Sequence, residues 1–202
     1  MPLPRFEPML ATRRPELVLD DAWVVEPKLD GWRALVYLYD GGLMMRTRSG
    51  RDVTASLPEL AGLAEVLPEG TVLDGELVAG QGRPVDFYAV GPGMAARRRR
   101  QPLSFVAFDV LVAAGMPVLD EPYRQRRTVL EDLELHADTW CTASSFAGAP
   151  EAAIRACVEH GLEGVVLKHQ ESRYVPGKRS RHWVKLKTST WRTDHAELRH
   201  ER

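Results

Sequence analysis

Apolar and polar residues alternate along several short stretches of this 202-residue chain. A period of two is typical of β-strands that bury one face. The pattern predicts strands at 23–25, 33–39 and 43–48, with Asp40-Gly41-Gly42 joining the last two as a hairpin. Further strands are predicted at 71–79 (interrupted at Asp74-Gly75), 103–112, 162–168 and 183–187.

Three other stretches have the apolar spacing of helices. The first begins at Ser56-Leu57-Pro58-Glu59, which has the spacing of a capping box, and continues through Leu57, Leu60, Ala64 and Leu67. The others span 123–135 and 150–160, and Gly161 stands where the last of them would end. Because strands dominate and hairpins join many of them, we expect an α+β fold of mostly antiparallel β-sheets flanked by helices.

Composition narrows the class of protein without identifying it. Hydrophobic residues make up 44% of the chain and charged residues 27%, which is ordinary for a globular enzyme. Cys141 and Cys157 lack metal-ligand spacing, so we expect reduced thiols in a cytosolic protein. The sequence has no apolar run of membrane-spanning length, and its first residues do not resemble a signal peptide, so we expect no membrane contact.

The net charge of -1 means that any contact with nucleic acid must come from a local basic surface. Two stretches are candidates. The four arginines at 97–100 are typical of a solvated loop, which we favour for them. The second stretch, 178–187, is more suggestive because the aromatic residues Tyr174 and Trp183 lie near or among its basic residues.

Lys28 is the first candidate for chemistry. It stands in Glu26-Pro27-Lys28-Leu29-Asp30-Gly31-Trp32-Arg33, a K-x-D-G-x-R pattern. A lysine at the end of an apolar segment, followed by a tight Asp-Gly turn and an arginine, suggests an amine held against a nucleotide phosphate. Lys28 would then be a covalent nucleophile. The alternative is a hairpin turn with ordinary surface charges.

Four further segments accompany it: 73–77 (LDGEL), 105–109 (FVAFD), 163–168 (EGVVLK) and 183–187 (WVKLK). In the last of these, Lys185 and Lys187 are two residues apart on a strand and therefore share a face. Two ammonium groups on one face favour an anion between them, and a phosphate is the natural candidate. Each segment also has an ordinary interpretation: Lys185 and Lys187 on a solvated edge strand, Glu76 as a surface acid, Phe108 in the core, Glu163 paired with Lys168.

Together, in this order, the segments resemble the covalent nucleotidyltransferases, which include ATP-dependent DNA ligases, RNA ligases and mRNA-capping enzymes. Matches at 6–11, 122–127 and 172–180 make the chain most similar to bacterial ATP-dependent DNA ligases of the repair and end-joining type. The resemblance covers 6–192. It implies an ATP-grasp-like nucleotidyltransferase fold, with an adenylation domain at 1–190 and a short tail at 191–202.

The resemblance also implies roles for single residues. Lys28 attacks the α-phosphate of ATP and becomes lysyl-AMP, and Lys185 and Lys187 grip that phosphate as further catalytic residues. The residues expected around the base, the sugar and the metal are Glu26 (adenine edge), Phe108 (stacked on adenine), Glu76 (ribose hydroxyl) and Glu163 (metal). The residues expected near phosphate or DNA are Arg33 and Arg48 (phosphate or ribose, with Arg48 also at the DNA 5′-phosphate), Lys178 and Arg179.

The chemistry of an amine nucleophile fits this set. Free lysine has a pKa of about 10.4, so only about 0.04% of it is neutral at pH 7. Arg33, Lys185, Lys187 and a bound Mg²⁺ or Mn²⁺ are expected to favour the neutral form of Lys28. The same cations would stabilise charge on the α-phosphate during the reaction.

Ligases of this type continue into an OB-fold domain after the last lysine strand. Trp191-Arg192-Thr193 resembles its start, but 191–202 is too short for five strands. We therefore expect slow self-adenylation, weak and salt-dependent DNA binding, and nick sealing that needs a partner supplying an OB-fold domain or end-joining factors. The expected substrate is nicked double-stranded DNA, and the expected protein is a monomer in the bacterial cytoplasm, associated with the nucleoid.

Three alternatives stay open from the sequence. One is a stand-alone adenylyltransferase that moves AMP to a non-nucleic acceptor such as a carboxylate. Another is a nucleotide-binding repair module without catalysis. The third is a GTP-using capping enzyme, which shares the core motifs. The match outside these motifs favours the bacterial ligase type, although no single residue excludes GTP.

Overall fold

A computed structural model describes residues 4–13, 20–80, 102–148 and 150–187. Within these ranges the chain forms ten strands and three α-helices. The strands are β1 Leu10–Thr12, β2 Trp23–Lys28, β3 Trp32–Tyr39, β4 Gly42–Thr47, β5 Thr71–Val78, β6 Ser104–Ala113, β7 Met116–Pro117, β8 Trp140–Thr142, β9 Gly164–His169 and β10 Arg179–Lys187. The helices are α1 Leu63–Val66, α2 Tyr123–Asp132 and α3 Pro150–Glu159. The α+β class predicted from the sequence is confirmed.

The strands form two sheets. In the first sheet the order is β1-β10-β9-β2, with β1 parallel to β10 and the other pairs antiparallel. In the second sheet the order is β4-β3-β5-β6-β7, all antiparallel, and β8 runs parallel to β6. The first sheet therefore places two early strands beside the two latest strands of the described chain.

Apolar residues fill three layers around these sheets. One cluster lies between the sheets and includes Leu35, Tyr37 and Trp183. A second cluster packs the outer face of the second sheet against α2, with Leu130 at its centre. A third packs the first sheet against α3. β3 has few polar residues because both of its faces are buried. Ala34, Val36 and Leu38 belong to one cluster, while Leu35 and Tyr37 belong to another.

The helix predicted from Ser56 is wrong. The segment forms two 3-10 turns, Thr54–Ser56 and Pro58–Leu60, before the single turn of α1. No side-chain cap forms at any of these three elements. Four leucines of the segment are buried, and the first three, Leu57, Leu60 and Leu63, are three residues apart, with Leu67 four residues further on. Three residues per turn is the 3-10 period, so the apolar spacing is satisfied by that geometry instead.

The interruption predicted at Asp74-Gly75 is also wrong, because β5 runs unbroken through both residues. Its pairing with β6 does shift register between them. A Cβ on Gly75 would overlap the Phe105 ring and the Val106 carbonyl. Gly75 therefore allows two strands to approach closely, and it does not make a turn.

The early segment packs onto the rest of the chain. Met9 is fully buried, and its backbone N–H donates to the Tyr174 hydroxyl at 2.9 Å. That hydroxyl donates to Asp74 at 2.5 Å, and Arg33 donates to both Asp74 and the Met9 carbonyl. These contacts fix β1 and Arg33 relative to the second sheet. Residues 1–3 and 14–19 lie outside the described chain.

A buried ion pair holds α2 against β6. Arg126 donates two hydrogen bonds to Asp109 at 2.8 and 2.9 Å, and both side chains have no solvent exposure. The remaining Arg126 nitrogen donates to the carbonyls of Glu121 and Ser172. With these hydrogen bonds made, the pair fixes the middle of β6, where Phe108 precedes Asp109.

None of the described helices is long and apolar enough to cross a membrane. The arginine run at 97–100 and the residues predicted to start a further domain, 191–193, lie outside the described chain.

Candidate active site

A cavity of about 220 Å³ opens between the two sheets. The first sheet supplies one wall, and β3, β5 and β6 supply much of the other. The lining residues are Leu10, Ala11, Glu26, Pro27, Lys28, Leu29, Arg33, Arg48, Glu76, Phe108, Ala143, Val166, Lys168, Arg179, Trp183 and Lys185. Eight of the eleven residues predicted for the site are in this set.

Lys28 ends β2 and faces this cavity. The chain then bends at Gly31, where a Cβ would overlap the carbonyl of Leu77 and the side chain of Glu76. The glycine of the K-x-D-G-x-R pattern therefore lets the segment after Lys28 lie directly against β5. This close approach, and not a left-handed turn, explains the glycine, and it brings Lys28 near the strand that carries Glu76.

Glu163 is a nearly buried carboxylate shared by two lysines. Lys28 Nζ donates to its Oε2, and Lys187 Nζ lies 2.6 Å from its Oε1. Gly164 makes this possible, because any Cβ there would overlap the Leu186 carbonyl on the neighbouring strand. The pairing of Glu163 with Lys168 considered from the sequence does not form. In the structure this carboxylate lies beside Lys187, and the phosphate expected between Lys185 and Lys187 stays a prediction.

Lys185 has a different environment from Lys187. It lies on the same strand face and lines the cavity, whereas the intervening Leu186 and the preceding Val184 pack in the core around α3. Burial lowers the pKa of Lys185, and the positive charges of Lys28, Arg13, Arg179 and Lys187 lower it further. An anion entering the cavity would therefore find an excess of positive charge at this point.

We call Arg13, Lys28, Arg179, Lys185 and Lys187 the cationic end of the site. Arg179 lines the cavity, and its guanidinium donates to the Ala11 carbonyl at 2.6 Å. Lys178, predicted alongside Arg179, is exposed and does not line the cavity. Arg48 lines the cavity from the segment after β4.

Glu76 and Arg33 face the cavity from the second sheet, paired across β5 and β3. Burial raises the pKa of Glu76 to about 7, although Arg33 and Lys28 act in the opposite direction. The Arg33 guanidinium binds Asp74 through two nitrogens, at 2.6 and 2.5 Å. Burial lowers the pKa of Arg33, but its interactions with Asp74 outweigh this and raise it overall. Arg33 is thus a charged residue of the cavity wall, and Asp74 holds its side chain in place.

Another part of the cavity is lined by Glu26 and Lys168, with Tyr123 behind Glu26; we call these three residues the closed end. Lys168 is 1% exposed and lies 2.7 Å from Glu26 Oε2, while the Tyr123 hydroxyl donates to the other Glu26 oxygen. Lys168 also donates to the Phe108 carbonyl at 2.7 Å. Burial lowers the pKa of Lys168, and Glu26 opposes that effect. Each charge at this end has a partner.

Phe108 forms part of the cavity wall near the closed end. Its ring is half-buried, and the Arg33 guanidinium carbon and Lys168 Nζ lie 4.6 and 4.8 Å from its centroid. Trp183 packs against it edge-on. The ring therefore has a fixed orientation and a surface that faces the cavity, as a stacking residue requires.

The eleven predicted site residues converge with one exception. Glu163 and Lys187 do not line the cavity but are joined to it through Lys28, and Lys178 lies apart. Three residues of the site were not predicted from the sequence: Arg13, Lys168 and Tyr123. A signal existed for Lys168, because a lysine closing the apolar run Val165-Val166-Leu167 must have a partner if it is buried. No local pattern marks Tyr123 as the partner of a glutamate 97 residues away.

Comparison with known families gives a consistent result. The model of the ATP dependent DNA ligase domain matches residues 8–187. The chain is 40% identical over 182 residues to the multifunctional non-homologous end joining DNA repair protein LigD of Mycobacterium tuberculosis, covering 89% of this chain and 24% of that protein. It is 34% identical over 180 residues to the SPbeta prophage-derived DNA ligase-like protein LigB of Bacillus subtilis, covering 89% and 66%.

Solved structures agree. The ligase domain of M. tuberculosis LigD superposes with a TM-score of 0.77 at 37% identity, covering 90% of this chain and 60% of that one. A mycobacterial DNA ligase D complexed with ATP and MES gives a TM-score of 0.73 at 35% identity, with the same coverage. The chain thus spans about a quarter of the LigD proteins and 60% of the solved ligase domain.

Proposed function

The chain belongs to the family of ATP-dependent DNA ligases as an adenylation domain, and from this premise we propose that Lys28 carries its covalent chemistry. One observation supports this most. The Nζ of Lys28 faces the cavity between the sheets, donates to the buried carboxylate of Glu163, and lies in the same cavity as Lys185. An amine with a nearby proton acceptor and a nearby cation suits attack on a phosphate.

The reaction that we propose transfers AMP to this amine. Lys28 Nζ attacks the α-phosphorus of ATP and a P–N bond forms. The bond from that phosphorus to the bridging oxygen breaks, and its electron pair leaves with pyrophosphate. The amine must also lose a proton, and Glu163 already accepts a hydrogen bond from it. The charge that develops on the α-phosphate oxygens is stabilised by Lys185.

The nucleoside is proposed to occupy the part of the cavity nearer the closed end. Phe108 offers a ring for stacking on adenine, and Glu26 offers a carboxylate to the base edge. Tyr123 and Lys168 hold Glu26 in place from behind. Glu76 is proposed to bind the ribose, because its carboxyl faces the cavity between Lys28 and Arg33. ATP is the expected nucleotide, as it is in the ATP-complexed mycobacterial ligase D.

A divalent cation fits this site if substrate phosphates supply most of its ligands. The described residues contain no cluster of three or more His, Cys, Asp or Glu that could hold a metal ion. Mg²⁺ is commonly bound by one or two carboxylates together with phosphates, and Glu163 is the carboxylate beside Lys28. A bound Mg²⁺ or Mn²⁺ would offset negative charge on the triphosphate.

The acceptor that we propose for the AMP is the 5′-phosphate of nicked DNA, followed by nick sealing. The names of the relatives, which include DNA ligases and end-joining repair proteins, support this choice. Arg48 and Arg179 at the cavity, and Lys178 outside it, are the candidate contacts for DNA phosphates. A partner that supplies an OB-fold domain, or end-joining factors, would complete the DNA clamp.

The test uses ATP labelled at the α-phosphate, Mg²⁺ and a denaturing gel. We expect an acid-labile protein adduct in the wild type and none in Lys28→Arg, because a guanidinium stays protonated. Arg173→Ala, a change at an exposed arginine outside the cavity, should form the adduct normally. An adduct that persists in Lys28→Arg overturns the assignment of Lys28. Failure of the wild type, even with pyrophosphatase and an added OB-fold domain, overturns the reaction. Transfer from the adduct is then followed with nicked DNA carrying a 5′-phosphate or a 5′-hydroxyl.

A further inference from the structure

The pairing of β1 with β10 brings two arginines beside Lys185. In this parallel pair Leu10 stands opposite Arg179, and both line the cavity. After a shift in register, Thr12 stands opposite Val184. Because the pair is parallel, the residues that follow Thr12 and Val184, which are Arg13 and Lys185, are also neighbours. Val184 is fully buried in the core around α3, so Lys185 faces the other side of the strand, where it lines the cavity. Arg13, just beyond β1, is exposed and lies close enough for its charge to lower the pKa of Lys185.

These three cations lack the compensation found elsewhere in the cavity. Lys28 and Lys187 share Glu163, Lys168 has Glu26, and Arg33 has Asp74. Over residues 4–13, 20–80, 102–148 and 150–187, no ion pair with a carboxylate involves Arg13, Arg179 or Lys185. The nearby charges that perturb Lys185 are all positive. Like charges held together in this way favour the binding of an anion between them.

The strand order gives these cations a direction relative to the nucleophile. Lys28 is on β2 at one edge of the first sheet, and Arg13 follows β1 at the other edge. In phosphoryl and nucleotidyl transfer the leaving oxygen departs roughly opposite the attacking atom. Arg13 and Arg179 therefore lie toward the side from which pyrophosphate would leave. Arg179 is also ordered in advance, because its guanidinium is tied to the Ala11 carbonyl.

We propose that Arg13 and Arg179, next to Lys185, form a subsite for the β- and γ-phosphates of ATP. The subsite holds the end of the nucleotide that leaves as pyrophosphate, and it makes the domain prefer a triphosphate to a monophosphate. Guanidinium groups suit this task because they offer paired donors to phosphate oxygens. The inference rests on the proposed function, since it takes the α-phosphate to lie between Lys28 and Lys185.

The test compares two nucleotides in the purified chain by calorimetry. One is an ATP analogue with a methylene between the α- and β-phosphates, which cannot lose pyrophosphate, and the other is AMP. We expect Arg13→Ala and Arg179→Ala each to weaken binding of the analogue by about ten-fold or more, the usual effect of losing a hydrogen bond to a charged group. Binding of AMP should stay unchanged. Arg179→Lys should retain more of the preference, and Arg173→Ala should retain all of it.

The outcomes separate this inference from the proposed function. If the wild type forms no adduct and does not prefer the analogue to AMP, the proposed function fails. Two results would overturn the subsite alone while the wild type still forms the adduct. In the first, both arginine variants bind the analogue with normal affinity. In the second, their affinities for the analogue and for AMP fall by the same factor.

A second measurement decides between two sources of phosphate. Nicked duplexes with a 5′-phosphate or a 5′-hydroxyl are bound to the same variants. If Arg13→Ala and Arg179→Ala lose only the preference for the 5′-phosphate and keep the analogue, the two arginines serve DNA, and the subsite for the triphosphate is overturned. Circular dichroism of each variant confirms that the fold is intact.

Discussion

The two ends of the cavity balance their charges in opposite ways. At the closed end, Lys168 and Tyr123 satisfy both oxygens of Glu26, and the Asp109–Arg126 pair lies behind them. At the cationic end there are five positive side chains and one carboxylate, Glu163, which contacts only Lys28 and Lys187 among them. The paired charges of the closed end contribute to the stability of the fold, because removing one of them leaves its partner buried without a counter-charge. The excess positive charges of the cationic end weaken the folded state slightly and gain their partner when an anion binds.

The comparison predicts that loss of stability will decrease from the closed end to the cationic end. The largest effect is expected for Arg126→Met, which leaves the unexposed Asp109 without its partner. The free energy of unfolding should fall by about 3–5 kcal/mol. Urea unfolding followed by tryptophan fluorescence measures it. Adding Asp109→Leu should restore much of the loss, whereas Arg124→Met on the exposed face of α2 should change little. An equal loss in Arg124→Met would contradict the distinction.

Lys168→Met comes next, with an expected loss of about 3 kcal/mol. The change leaves the carboxylate of Glu26, which is 3% exposed, with the Tyr123 hydroxyl as its close partner and the Arg127 guanidinium at 3.9 Å. Glu26→Gln in the same chain removes the uncompensated charge and should recover part of the loss. Chemical denaturation of the single and double variants gives both values. Full stability in the single variant would mean that the closed end does not depend on its ion pair.

Glu76→Gln should have an intermediate effect that depends on pH. Burial raises the pKa of Glu76 from 4.5 to about 7. Between these values the folded chain holds a proton that the unfolded chain releases, so stability from this group falls as pH rises and levels off above about 7. Glutamine does not titrate. Above pH 7 the variant should therefore be more stable than the wild type by about 1–2 kcal/mol, after allowance for partial exposure.

Unfolding curves collected from pH 4 to pH 9 provide that test. The difference between Glu76→Gln and the wild type should be smallest near pH 4 and should grow through the interval below 7. A difference that is constant over the whole range would show that Glu76 does not carry the titration.

The smallest effect on stability is expected for Lys185→Met at the cationic end. It removes an ammonium whose pKa is lowered by burial and by four neighbouring cations, so we expect a gain below about 1 kcal/mol. The gain should be present below the folded pKa of this lysine and should vanish above its ordinary value of 10.5. Adduct formation should nevertheless fall by about 100-fold or more. A Lys185→Met variant that loses stability and keeps activity would contradict the distinction between the two ends of the cavity.

The sequence predicted the cationic end better than the closed end, for a physical reason. Lys185 and Lys187 alternate with apolar residues on one strand, so their shared face follows from the strand period alone. Lys28 likewise follows from its position at the end of an apolar segment. The closed end depends on contacts between distant elements: Glu26 meets Tyr123 across 97 residues. No local period encodes such a pair, because it forms only when α2 and β9 pack near β2.

The glycines of the motifs illustrate a second limit. The sequence predicts a turn at Asp30-Gly31 and an interruption of the strand at Asp74-Gly75. In the structure a Cβ at either position would overlap a neighbouring strand. A glycine needed for close packing and a glycine needed for a turn have the same appearance in one sequence. Only the position of the facing strand distinguishes them.

The strand order of the first sheet also has a consequence for synthesis on the ribosome. Lys28 is made early, but its partner Glu163 lies 135 residues later, and Lys185 follows in β10. At about 5–20 residues per second, roughly 7–30 s pass after Lys28 is made before its sheet can close. The second sheet has most of its pairings between consecutive strands and can form while the chain is still growing. In each new molecule, Lys28 would therefore have no complete sheet around it until β10 has emerged.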